Sequence, residues 1–330
     1  MKTRNSFVSC ADGIWLLSAR LVFLVVVMAA ILISIQPLSA EDIAVSPFEL
    51  IDKLQVAANV SSVEIDQLTD SLIKLGDSAL PAIQEGLARE DSSLNTHLLR
   101  VLGGIPGDGS TSLLVSTIPM NQSAIGRLEN REIRRELTPE ELAAIVTVIK
   151  SKNVASAGVA ARVLAKCIKV PIDVRINAIL PPFQEAVITP ITLERIPGSY
   201  LSPRVHSLNQ FLLAFSYIGE PTRPILLESR AKKTDGELGK WLLIALGMAG
   251  ERGMANDLRQ LVQDDPDRYV RSVAVRAYAH SAGADAIPFL QSLLSNDMES
   301  EYYHFPNGQP MLLIRNAAKG ELARIARESR

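Results

Sequence analysis

Residues 264–297 read DDPDRYVRSVAVRAYAHSAGADAIPFLQSLLSND, and this stretch decides the fold. Tyr269, Val270, Val273, Ala274, Ala277 and Tyr278 recur at three- and four-residue spacing, which lines one face of a helix. Asp265 reads as its N-cap, Pro266 as the first helical position and Asp267 as an acidic residue of the first turn. Gly283 reads as the stop, because glycine takes a left-handed conformation cheaply. A second apolar helix opens at Ala286-Ile287-Pro288 and carries Phe289, Leu290, Leu293 and Leu294. Such a hairpin leaves one apolar side uncovered, so it implies neighbours of its own kind.

The chain supplies them. A hydrophobic residue followed by glycine, then a turn and a new apolar helix, recurs at Leu75-Gly76, Leu102-Gly103, Ile218-Gly219, Leu246-Gly247 and Ala282-Gly283. Adjacent copies lie between about 27 and 37 residues apart, the range of two-helix repeats. Between Gly103 and Gly219 there is room for three or four further units. These readings predict an all-α solenoid of eight or nine helix pairs.

The pattern Asp265…Val270-Arg271…Ala274…Ala277…Gly283…Ala286-Ile287-Pro288…Leu290…Leu293-Leu294…Asp297 resembles a HEAT repeat of the bacterial type, related to the repeats of phycobilisome lyases. The match is specific in this unit, good at 72–102 and 212–262, and weakest at about 120–205. The resemblance implies antiparallel helix pairs in a right-handed superhelix. It also implies that Asp265 and Arg271 link neighbouring repeats by hydrogen bonds, a structural role. By the same resemblance Arg162, Lys166, Lys169, Lys240, Trp241, Arg271 and Tyr278 are placed on the concave side.

The 330 residues are 47% hydrophobic and only 5% aromatic, which suits close helix packing better than sheets. Net charge is -2, and 31 basic against 35 acidic residues remain once residues 1–40 are set aside. That balance excludes the basic excess of a nucleic-acid binder. Residues 1–40 read as a signal peptide or N-terminal membrane anchor. Lys2, Arg4 and Arg20 precede the apolar run Leu21–Ile35, and Pro37-Leu38-Ser39-Ala40 leads into Glu41. The reading is of an exported body, 41–330, that is periplasmic or secreted, or held in the cytoplasmic membrane by residues 21–38.

Local start signals are Ser46-Pro47-Phe48-Glu49 and Thr138-Pro139-Glu140-Glu141, both read as capping boxes. Six prolines between Pro171 and Pro203 predict short helices and loops there. Residues 296–310 read as an insertion carrying Tyr302, Tyr303, His304 and Phe305.

The chemistry-bearing residues point away from catalysis. Gly104–Ser110 lacks the lysine of a phosphate loop and reads as a turn between repeats. Cys167 stands between Leu164 and Ile168 on a buried face and reads as a core thiol. His97, His206, His280 and His304 show no metal-ligand spacing. No catalytic residue, metal or cofactor is expected. The candidate interaction surface is Tyr302, Tyr303 and Phe305 together with Lys240, Trp241 and Tyr278, since aromatics anchor interfaces. The expected function is an exported, non-catalytic scaffold for other proteins. The alternatives are a lyase-like or chaperone subunit of the phycobilisome-lyase type, and a membrane-anchored structural module.

Overall fold

The computed structural model describes residues 45–58, 62–89, 91–189, 203–232, 236–295 and 313–330. Among the described residues sixteen α-helices follow one another, with no strand longer than a single bridge. They are α1 Pro47–Ala57, α2 Ser62–Leu75, α3 Leu80–Leu87, α4 Ser92–Gly104, α5 Asp108–Thr117, α6 Ala124–Leu128, α7 Pro139–Ile149 and α8 Val154–Ala165. Then come α9 Ile172–Ile188, α10 Pro203–Ile218, α11 Arg223–Lys232, α12 Gly236–Met248, α13 Ala255–Asp264, α14 Arg268–Ala282, α15 Ile287–Leu294 and α16 Leu313–Glu328. The chain is an α-helical solenoid of sequential helix pairs.

The repeated element is a joint. Gly76, Gly219 and Gly283 each take a positive φ, and a short 3-10 turn follows before the next helix. Leu102-Gly103 and Leu246-Gly247 depart from this rule: Gly103 lies inside α4 and the positive φ falls at Gly107. Gly247 lies inside α12, where a Cβ would meet Leu258 Cδ1 at 2.4 Å and the Ala277 carbonyl oxygen at 2.9 Å. There the absent side chain lets α13 and α14 close on α12, and the turn falls to Gly250, with φ 77°. One sequence signal thus covers two physical uses of glycine.

The helices form two layers. Even-numbered helices stack without a break, each on the next from α2 to α16. In the odd layer only α1–α3, α3–α5 and α7–α9 pack substantially on one another. In addition α10 touches α14 directly, across α12. Helices on the inside of a curved stack crowd while those outside spread, so the even layer is the inner one. α12 lies deepest, with Trp241 to Ala249 buried without interruption. A helix that is apolar all round must be covered all round.

Local chemistry explains most of the ends. Thr138 and Glu141 form the expected capping box of α7. Ser46 precedes Pro47 as N-cap of α1, but its side chain makes no capping bond, so the box read there is absent. At α14 the cap is Asp267, which accepts from Tyr269 N at 2.8 Å. Asp265 instead ends α13, accepts from Asp267 N at 2.8 Å and is buried.

Up to residue 189 the proline-rich stretch corrects the expectation of short helices, and Pro190 and Pro197 lie outside the described residues. α9 runs unbroken for 17 residues with Pro181 and Pro182 inside it. Each internal proline removes a donor and costs about 3 kcal/mol in isolation. The opposite face buries Ile176, Ile179, Phe183, Ala186 and Val187 against α8, α10 and α12. At about 1.5–3 kcal/mol for each large side chain, packing outweighs propensity. Phe183 stacks on Phe211 and Phe215 of α10 with centroids 6.0 and 5.3 Å apart.

The poorly matching region 120–205 is held by a crossing segment between α6 and α7. Arg131 donates to the carbonyls of Leu102, Gly103 and Ile105 and to the hydroxyls of Ser110 and Thr111, at 2.7–3.1 Å. It thereby satisfies carbonyls left open at the end of α4. Ile133 then pairs with the turn after α8 through Ile133 N to Lys166 O and Ile168 N to Ile133 O, both 3.2 Å. Arg135 grips Glu141 with both amino groups at 2.6 and 2.8 Å.

Candidate interaction surface

The free face of the inner layer is built around α8 and α10. α8 is small-sided: Ala157, Gly158, Ala160 and Ala161 are all buried. Asn153 caps it by accepting from Ser156 N at 3.2 Å. A Cβ on Gly158 would lie 2.7 Å from the carbonyl oxygen of Ser207, so the two backbones approach as closely as glycine permits. This approach carries Arg162 and Lys166, one turn apart, alongside Tyr217 at the far end of α10.

Tyr217 is 50% exposed. Lys166 Nζ stands 4.6 Å from its ring centroid and Arg162 Cζ 5.8 Å. Partial burial raises the Tyr217 pKa, but hydrogen bonding and charge from Arg162 and Lys166 outweigh it and hold the hydroxyl below its ordinary value. Arg162 is fastened by the Glu129 carboxylate, by Gln210 Oε1 at 3.2 Å and by Asn130 Oδ1 at 3.4 Å. Lys166 donates to the Glu129 carbonyl at 2.6 Å. Further along, Arg276 of α14 donates to Asn209 of α10 at 3.5 Å, reaching over α12. The result is a polar strip from α6 to α14 with one aromatic ring presented at its centre.

The sequence-chosen surface residues divide. Arg162 and Lys166 lie on the inner layer and meet at Tyr217, which the sequence reading missed. Its signal is spacing: Gln210 and Tyr217 stand seven residues apart on one face of α10. Trp241 is 1% exposed and Tyr278 6%, so both are core residues and not surface anchors. Trp241 Nε1 donates to Glu237 at 3.2 Å, and the Tyr278 ring meets Phe289 edge-on at 5.2 Å. The repeat resemblance placed them on the concave side; the helices are on the inner layer, but these two side chains turn into the core, where the Trp241 N–H finds Glu237 and the Tyr278 ring packs on Phe289.

Lys240 is largely buried and bridges Glu237 at 2.7 Å and Asp265 at 3.0 Å. Burial would lower its pKa, but the two carboxylates outweigh it and raise it. Lys240, not Arg271, is the described side chain that holds Asp265 across the repeat. Arg271 leaves its buried Nε without a hydrogen-bond partner. Tyr302, Tyr303, His304 and Phe305 lie outside the described residues, as does the side chain of His206.

Other features do not assemble a reaction site. Cys167 is fully buried, its thiol bonded to the Val163 carbonyl at 3.3 Å and its pKa pushed up to about 12 by burial. A cleft of about 400 Å³ opens between α11, α12 and α13, lined by Arg230, Leu243, Asp257, Gln260, Asp264 and Pro266. Arg230 and Asp257 pair within it at 3.2 Å. Among the described residues no group of three His, Cys, Asp or Glu side chains is placed to hold a metal ion. Nor is any described helix long and apolar enough to cross a membrane.

No protein-family model and no curated protein matches the chain. Among solved structures it is similar to the crystal structure of an engineered protein, a Northeast Structural Genomics Consortium target. The two are 17% identical, over 88% of this chain and 93% of that one, with a TM-score of 0.26. At that score the likeness carries no argument, and the fold rests on the helix ladder itself.

Proposed function

We propose that this protein is a non-catalytic scaffold of the HEAT type that works outside the cytoplasm and holds another protein against its inner layer. One observation carries the reading. The unbroken inner ladder carries Tyr217, half exposed and flanked by two cations. Stacked helix pairs build extended concave surfaces, and a standard interface needs about 800 Å² on each partner without any deep pocket. Tyrosine and arginine are the residue types that carry interface energy. Export is supported by the basic residues and apolar run of residues 1–40.

The test is site-specific photo-crosslinking in the cell that makes the protein. A benzophenone side chain at position 217 is expected to give a discrete protein adduct. The same group at Leu227, exposed on the outer helix α11, serves as the control. If the inner-layer position yields no adduct, or both positions yield the same one, the scaffold reading fails. N-terminal sequencing and protease access in spheroplasts test export, which a protected cytoplasmic chain would refute.

A further inference from the structure

Charge is sorted between the two layers. The six even helices from α4 to α14 carry a single acidic residue, Glu237, against eight basic ones. The five odd helices between them carry eight acidic residues against five basic. Over this stretch the even layer has a basic excess and the odd layer an acidic one, while the terminal even helix α2 carries Glu64, Asp66 and Asp70 against Lys74. Some of them are neutralised in place: Arg100 by Asp66, Arg162 by Glu129, and Lys240 by Glu237 and Asp265.

Others are not. Lys166, just past the end of α8, reaches the Glu129 carbonyl and Tyr217 but no described carboxylate, and Arg276 only the Asn209 side-chain oxygen. Arg127, exposed on α6, has no ion-pair partner among the described carboxylates. A concave face focuses the field of such charges. The strip's own carboxylates, Glu129 and Glu237, are already paired with Arg162 and Lys240.

From this sorting we infer that the inner layer takes an acidic segment of the partner, its carboxylates meeting Lys166 beside the Tyr217 ring and Arg127 where its side chain lies over Gly103 of α4. This rests on the scaffold reading and narrows it to a partner chemistry. A nucleic acid is the other polyanion to consider. It asks for a dense line of phosphate contacts, and the uncompensated cations of this strip are separated by paired ones.

The experiment is fluorescence anisotropy with the exported chain and three probes of matched length: an Asp/Glu-rich peptide bearing one aromatic residue, its Lys-rich counterpart, and a single-stranded oligonucleotide. The acidic peptide is expected to bind at low salt. Its affinity should fall as salt rises from about 20 mM to about 500 mM, where the screening length shrinks from about 20 Å to about 4 Å. The double variant Arg127→Glu/Lys166→Glu should weaken it by about tenfold or more. Lys150→Glu, an exposed reversal at the end of outer helix α7, should leave it unchanged. Circular dichroism on each variant establishes that the fold is kept.

Binding of the Lys-rich peptide with equal affinity, tighter binding of the oligonucleotide, or indifference to the double variant would each overturn the inference. So would failure of the acidic peptide to bind. If position 217 still crosslinks a protein while the acidic peptide fails, the charge inference alone falls and the scaffold survives. If neither occurs, both fall.

Discussion

Replacing Gly158 with alanine tests whether the inner layer is as tightly closed as its backbone implies. In an ordinary helix interior the change stabilises, since alanine is about 1 kcal/mol better than glycine. At this position the new Cβ would sit 2.7 Å from the Ser207 carbonyl oxygen and 2.8 Å from Gln210 Cβ. The first is backbone and cannot rotate away. Relief requires α8 and α10 to part by roughly half an ångström or more, and overpacking of this kind costs about 1–3 kcal/mol. The two terms oppose, and the clash wins by about 1 kcal/mol. The internal standard is Gly126→Ala, at an exposed position of α6, where a Cβ meets nothing within 4 Å and the same chemistry should stabilise. Urea denaturation followed at 222 nm on both variants should move the midpoints in opposite directions. A Gly158→Ala midpoint at or above that of the unaltered protein would refute the close approach, and with it the placement of Arg162 beside Gln210.

Three further outcomes follow from the geometry. Arg131→Met should destabilise by about 2 kcal/mol, because it strands the Leu102 carbonyl at the end of α4 while Ser110 Oγ still donates to Ile105 O. Arg131→Lys should not rescue it, since one ammonium cannot reach five acceptors; both are read from denaturation midpoints. Cys167 should resist a thiol reagent in the folded protein at neutral pH and react once urea exposes it, as its raised pKa and burial require. His280, between α14 and α16, is held below its ordinary pKa by burial and then by Arg324, against the opposing pull of Glu321 4.0 Å away. The folded chain then binds fewer protons than the unfolded chain, so this contribution to stability is present above about pH 6.5 and lost as pH falls through the folded value. His280→Gln should flatten that part of the stability profile between about pH 7 and 5; an unchanged slope would sink the assignment.

Much of this architecture was legible from short-range patterns. Periodicity marked most of the helices, the joints at Gly76, Gly219 and Gly283 were visible as hydrophobic-glycine pairs, and the Thr138–Glu141 box stood three residues apart. Where the reading erred, a distant neighbour had the deciding vote. Gly247 looked like a turn and is a close packing point against Leu258 and Ala277. The prolines of α9 looked like breakers and were overruled by the face buried against α8, α10 and α12. Trp241 looked like a surface anchor and lies in the middle of a helix covered on every side.

The sequence by itself determined that the chain is helical, where most hairpins turn, and that its overall charge is near balance. These properties depend on residues within one or two turns of each other, and local sterics and hydrogen bonding settle them. Only the tertiary structure decided which helices face inward, that Tyr217 meets Arg162 and Lys166, and that the helices with a basic excess share one layer. Those relations join residues 33 to 67 positions apart. They exist only because stacking brings every second helix together, which no local rule specifies.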